Sequence, residues 1–121
     1  MILVIGTGSF IGGISRYLLS TFIQGKFFST FPFGTLSVNI IGCFLIGIVY
    51  GLADHGNLSP EWRLFLATGI LGGFTTFSAF SNETTTMLRD GQYAYASLYI
   101  VSSVLLGLIT TFIGIAITKL F

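Results

Sequence analysis

Charge is what this sequence has least of. Only 7% of its 121 residues are Asp, Glu, Lys or Arg, five of them basic and four acidic. A soluble domain carries roughly a quarter of its residues as charges to keep its surface wet, so a soluble globular fold is excluded. A net charge of +1 provides no basic face for a nucleic acid. Cysteine is nearly absent: Cys43 stands alone, which rules out an internal disulfide and leaves a small apolar packing residue. The one histidine, His55, lies in a polar stretch, and no zinc site is expected there. No nucleotide-binding loop, catalytic triad or cluster of metal-ligating side chains is present, so the chain is not read as an enzyme.

Apolar residues make up 53% of the chain. They fall in four runs. Met1 to Ile23 contains one charge, Arg16; Phe31–Ala53, Leu64–Asn82 and Gln92–Thr118 contain none. Each run is long enough to cross about 30 Å of hydrocarbon as a helix, and the strict alternation of a membrane β-barrel is missing. The reading is an all-α integral membrane protein, a single domain over residues 1–121. Its four spans are Ile2–Ile23, Phe33–Ala53, Trp62–Met87 and Tyr93–Thr118. The first run lacks a basic start and outlasts the apolar core of a signal peptide, so it is expected to be a retained span. Ser59-Pro60-Glu61 reads as an N-cap, a first-turn proline and a first-turn acid.

An even number of spans places both termini on one side. That side holds Arg63 and Lys119; the other holds Lys26 and Arg89, with Arg16 deeper. Basic residues set orientation. Here the counts nearly cancel, which admits insertion both ways and with it an antiparallel homodimer. Gly8-x-x-x-Gly12, Gly47-x-x-x-Gly51 and Gly69-x-x-x-Gly73 are spaced for close helix contact.

Polar groups at membrane depth mark function by default. Arg16, Asn39 and Glu83 fall in roughly one layer near one face. Arg16 and Glu83 either serve a pathway, pair with each other or reach to the interface; Asn39 is too short to reach it. Ser103, Gly107, Thr110 and Gly114 share a face of span four, which suits either packing or a polar lining. Within "GGFTTFSAFSNETTT", residues 72–86, Gly72 and Gly73 followed by Thr75-Thr76 are expected to break span three near the bilayer midplane. Such a break frees carbonyls, which coordinate cations in other transporters. Beyond it, Phe77 and Phe80 share a face, with Ser78 and Ser81 beside them. Phenylalanines at this spacing fit packing, or electropositive ring edges along the path of a small anion.

"TGILGGFTTFSAFSNET" (Thr68–Thr84) resembles the third-span signature of the Fluc/CrcB fluoride-channel family. "FGTLSVNIIG" (Phe33–Gly42) is similar to its second-span signature and "GGISRYLL" (Gly12–Leu19) to its first. The resemblance implies a passive, fluoride-selective channel that exports fluoride from the cytoplasm across the inner (plasma) membrane. It implies antiparallel, dual-topology homodimers with two pores, and a sodium ion on the dimer axis. By the same resemblance, main-chain carbonyls of Gly72 and Thr75 hold the sodium. Asn39, Phe77, Phe80, Ser78 and Ser81 line the fluoride pathway, as does Ser103, where relatives often carry a larger hydrogen-bonding side chain. Arg16 and Glu83 match charged positions of the family. The expected partners are a second copy, fluoride and lipid. The alternatives are a small dual-topology multidrug or guanidinium exporter, for which Glu83 is the sole membrane carboxylate, and a membrane subunit without transport.

Overall fold

The computed structural model describes residues 1–120. All regular structure among them is helical: α1 (Ile2–Gln24), α2 (Phe33–Asp54), α3 (Pro60–Arg63), a π-helical segment (Leu64–Leu71), α4 (Gly72–Phe74), α5 (Phe77–Arg89) and α6 (Tyr93–Thr118). By length and composition four stretches can cross a membrane, the third being the composite Pro60–Arg89 of 30 residues. This is a multi-pass membrane architecture. The connections carry their turn chemistry. Gly56 and Gly91 adopt φ of 72° and 77°, a left-handed conformation that costs glycine little. Ser59 Oγ accepts from the Trp62 amide at 3.3 Å, with Pro60 in the first turn, as the sequence leads one to expect.

Apolar burial does not drive association within lipid, so helices approach where small residues let their backbones meet. Here α1 lies along the third span. A Cβ added to Gly8 would sit 2.8 Å from Gly69 Cα, and one on Gly73 would sit 2.6 Å from the Ser9 carbonyl. On the other side α2 lies along α6, with Gly47 against Thr111 and Gly51 against Thr118. Thr110 and Thr111 hydroxyls reach across to the Ile40 and Cys43 carbonyls at 3.4 and 3.1 Å. All three spaced glycine pairs thus mark contacts between helices of one chain.

Two buried clusters fill the interior. Val38, Val49, Ala67, Leu71 and Phe74 join α2 to the third span. Phe31, Met87, Ala96 and Tyr99 join the α1–α2 loop to α5 and α6. The outer face of α6, with Leu98, Val101, Leu105, Leu108 and Phe112, is exposed, as an apolar lipid-facing surface should be.

Candidate functional site

The site is built around two residues. Gly72 keeps helical angles (φ −62°, ψ −37°), but Thr75 (φ −88°, ψ 156°) and Thr76 (φ −150°, ψ 122°) are extended. The glycines are therefore not where the backbone leaves the helix. Gly73 is small because α1 passes against it. The extended pair lies midway along Pro60–Arg89, and polar groups otherwise lost to the helix find partners around it. Asn39 clamps Thr76 with both ends of its amide: Nδ2 donates to the Thr76 carbonyl at 3.1 Å, and Oδ1 accepts from the Thr76 amide at 2.9 Å. Thr75 donates through its amide and its hydroxyl to the Leu71 carbonyl, both at 3.0 Å. Arg16 Nε donates to the Gly73 carbonyl at 3.2 Å. Thr76 Oγ1 accepts from the Ala79 amide at 3.2 Å and so caps the new helix α5.

Beside this segment lies an open groove of about 370 Å³, whose wall includes Asn39, Thr75, Thr76, Phe77, Phe80 and Ser103. The Phe77 and Phe80 rings lie 5.6 Å apart and tilted by 42°. Phe80 continues to Tyr99 at 5.0 Å. Phe77 is 77% exposed and contributes to the groove wall. The Ser103 hydroxyl oxygen is buried in the wall and has no hydrogen-bond partner among the described residues. A hydroxyl left so donates readily to an anion that enters. Of the six residues expected along a pathway, Asn39, Phe77, Phe80 and Ser103 meet here. Ser78 and Ser81 do not line the groove; both are exposed on α5, and the Ser78 hydroxyl lies 3.2 Å from that of Thr76.

Arg16 and Glu83 do not pair. Glu83 takes the Thr35 hydroxyl on one carboxylate oxygen at 2.7 Å and the Tyr99 hydroxyl on the other at 3.0 Å. Two hydroxyl donors, one on each oxygen, fix the direction of the carboxylate. A second cleft, of about 320 Å³, opens on this carboxylate and is lined by Ser20, Thr21, Gln24, Thr30, Thr35 and Glu83. Sequence reading missed Thr35 and Tyr99. Both lie in apolar runs, and only the fold brings them to Glu83 from α2 and α6. The phenol of a tyrosine within an uncharged span was the available signal, since such a group needs a partner. On span four Gly107 and Gly114 are buried, and Thr110 bonds to carbonyls. Apart from Ser103, that face packs against α2.

The family model described as "CrcB-like protein, Camphor Resistance (CrcB)" matches residues 3–115. Relatives with the name "Fluoride-specific ion channel FluC" match nearly the whole chain. The Chlorobium phaeobacteroides protein is 45% identical over 121 residues, covering 98% of this chain and 93% of its own length. The Parabacteroides distasonis protein is 46% identical, with 93% and 88% covered, and a Shewanella baltica protein is 42% identical, with 93% and 91% covered.

Proposed function

The chain belongs to the CrcB family, and from that premise we propose that it is a fluoride-specific ion channel through which fluoride leaves the cytoplasm passively. Exit down its gradient protects the cell from fluoride toxicity, and no enzymatic step is involved. The single observation that carries the reading is the groove where Asn39, Phe77, Phe80 and Ser103 meet, in a chain whose relatives bear that name over almost its full length. Fluoride holds water tightly, so a dry pathway must replace those contacts. Hydroxyl and amide donors and electropositive ring edges do so without a fixed charge that would trap the ion. Ser78 and Ser81 continue the hydroxyl track where a partner subunit closes over α5.

The proposed assembly is an antiparallel homodimer with two pores, inserted in the inner membrane. Thr75-Thr76 forms the break in the third span, at the dimer axis. Gly72 and Thr75 are the residues that would hold a sodium ion through main-chain carbonyls. Their surroundings fit it. Neighbouring carbonyls of Leu71, Gly73 and Thr76 already accept hydrogen bonds, while those of Gly72 and Thr75 accept none from a side chain among the described residues. Gly72 is also exposed. Carbonyls of unwound membrane helices are suitable sodium ligands, and a bound cation there supplies positive charge at mid-depth. Arg16 braces the break from α1 through the Gly73 carbonyl. An exporter reading is weaker, because both oxygens of Glu83 already accept hydrogen bonds from hydroxyls within the chain.

The test is efflux from liposomes containing the purified protein and loaded with fluoride, chloride or guanidinium. Rapid fluoride release with chloride and guanidinium retained is the expected result. Guanidinium release coupled to protons would replace the channel reading with the exporter.

A further inference from the structure

We propose that Gln24 is a positioning residue of the fluoride pathway, acting through Thr35 and Tyr99 to set the two hydroxyls on Glu83. The inference rests on the fluoride-channel reading and extends it by taking the Glu83 cleft as one end of the pathway. Helix α2 begins after Pro32, which provides no side-chain cap, so its first amides need partners from elsewhere. Gln24, the last residue of α1, supplies one: its Oε1 accepts from the Gly34 amide at 2.9 Å. Its Nε2 donates to the Phe31 carbonyl at 3.0 Å and the Ser29 carbonyl at 3.3 Å. One amide thereby ties the end of α1, the loop and the first turn of α2 together.

Both hydroxyl donors to Glu83 depend on this tie. Thr35 directly follows the amide that Gln24 holds. Phe31, whose carbonyl Gln24 also holds, is 4% exposed. Its ring meets Tyr99 edge-on at 5.6 Å, so the loop backs the phenol that donates to Glu83. Gln92 secures the same loop from α6, donating to the Thr30 hydroxyl at 3.1 Å. Gln24 faces the cleft beside Thr35 and Glu83, yet its polar atoms are taken up by backbone. Its role is to place other groups, not to contact the ion.

The experiment is fluoride efflux from liposomes diluted to under one channel each. There the fraction of liposomes that empty counts folded channels, and the rate gives flux per channel. Gln24→Leu should leave the fraction near that of the parent and slow each channel about tenfold, the scale of one or two lost hydrogen bonds. Thr35→Val should slow it similarly, and the double variant should be no slower than either alone. Gln24→Asn, one methylene short, tests the point if the leucine variant yields no channels, and should be intermediate. Parent flux per channel in the Gln24 variants, with Thr35→Val still slow, overturns the proposal and leaves the pathway reading intact. Multiplied effects in the double variant overturn it as well. Parent flux in all of them removes the Glu83 cleft from the pathway, and the proposal with it.

Discussion

Phe77 and Phe80 are three residues apart on one helix, but their surroundings differ. Phe77 is largely exposed, whereas Phe80 also packs against Tyr99, whose hydroxyl holds Glu83. Replacement of either by isoleucine keeps apolar bulk and removes the ring quadrupole. Both Phe77→Ile and Phe80→Ile are expected to lower fluoride flux per channel by tenfold or more, on the order of 1.4 kcal/mol in the barrier. Phe80→Ile should lower thermal stability more than Phe77→Ile, because Phe80 also loses its contact with the buried Tyr99. Parent flux in both variants would reduce the pair to packing. Phe74, by contrast, is a core residue. It is buried with Leu71 and Val38, and its isoleucine variant should lose about 1 kcal/mol of stability as a change of core shape. At this scale the sequence was only half legible. Asn39 and Glu83 announce themselves as polar groups in apolar runs. That Asn39 grips Thr76, and that Thr35 and Tyr99 grip Glu83, depends on contacts 16 to 48 residues apart, which no local pattern encodes.

At the scale of elements, the four spans were legible because the bilayer sets their length and the apolar runs match it. Their ends fell within two residues, the third span, Pro60–Arg89, being two longer at each end. The π-helical segment Leu64–Leu71 was not legible, since its residues are as compatible with an α-helix. The glycines were read as weakening the helix; the backbone leaves it at Thr75-Thr76, and α1 passes close against Gly73. A Cβ on Gly73 would lie 2.6 Å from the Ser9 carbonyl oxygen of α1, while one on Gly72 would meet nothing nearer than the Ala67 carbonyl at 3.7 Å. The contrast makes a prediction. Gly73→Ala should force α1 away from the third span and destabilise the chain by about 1–3 kcal/mol, seen as lower yield and an earlier thermal transition. Gly72→Ala should leave the isolated chain intact, because its backbone is helical and its surroundings are open. If Gly72→Ala nevertheless disrupts dimers on size exclusion or weakens the effect of sodium, the obstruction lies outside the chain, where the proposed axis is. Equal behaviour of the two variants would detach Gly72 from that axis.

At the scale of the whole molecule, one chain leaves polar surface uncovered. Ser78, Ser81, Asn82 and Thr85 are exposed on α5, and lipid is a poor partner for such groups. In the proposed dimer a second copy would close them off. Its orientation turns on few charges. Arg63 and Lys119 stand on the side of the termini, and Lys26 and Arg89 on the other. Arg16 is engaged with the Gly73 carbonyl within the helix bundle and has little say. Lys26 lies over the Phe22 ring at 4.7 Å and Arg63 over the Tyr50 ring at 4.9 Å, so each side has an aromatic-tethered cation of similar weight. With two basic residues against two, neither insertion is favoured by the rule that draws Lys and Arg to the cytoplasm. A reporter on the C-terminus is therefore expected on both sides of the membrane. Two or three lysines added within residues 25–32 should drive one orientation, and the same addition within residues 54–59 the opposite one. Each biased variant expressed alone should lose fluoride efflux, because an antiparallel pair then lacks its second orientation. Co-expression of the two should restore it. Efflux at the parent rate from a variant shown by its reporter to insert one way only would end the antiparallel model, and with it the placement of Gly72 and Thr75 on a shared axis.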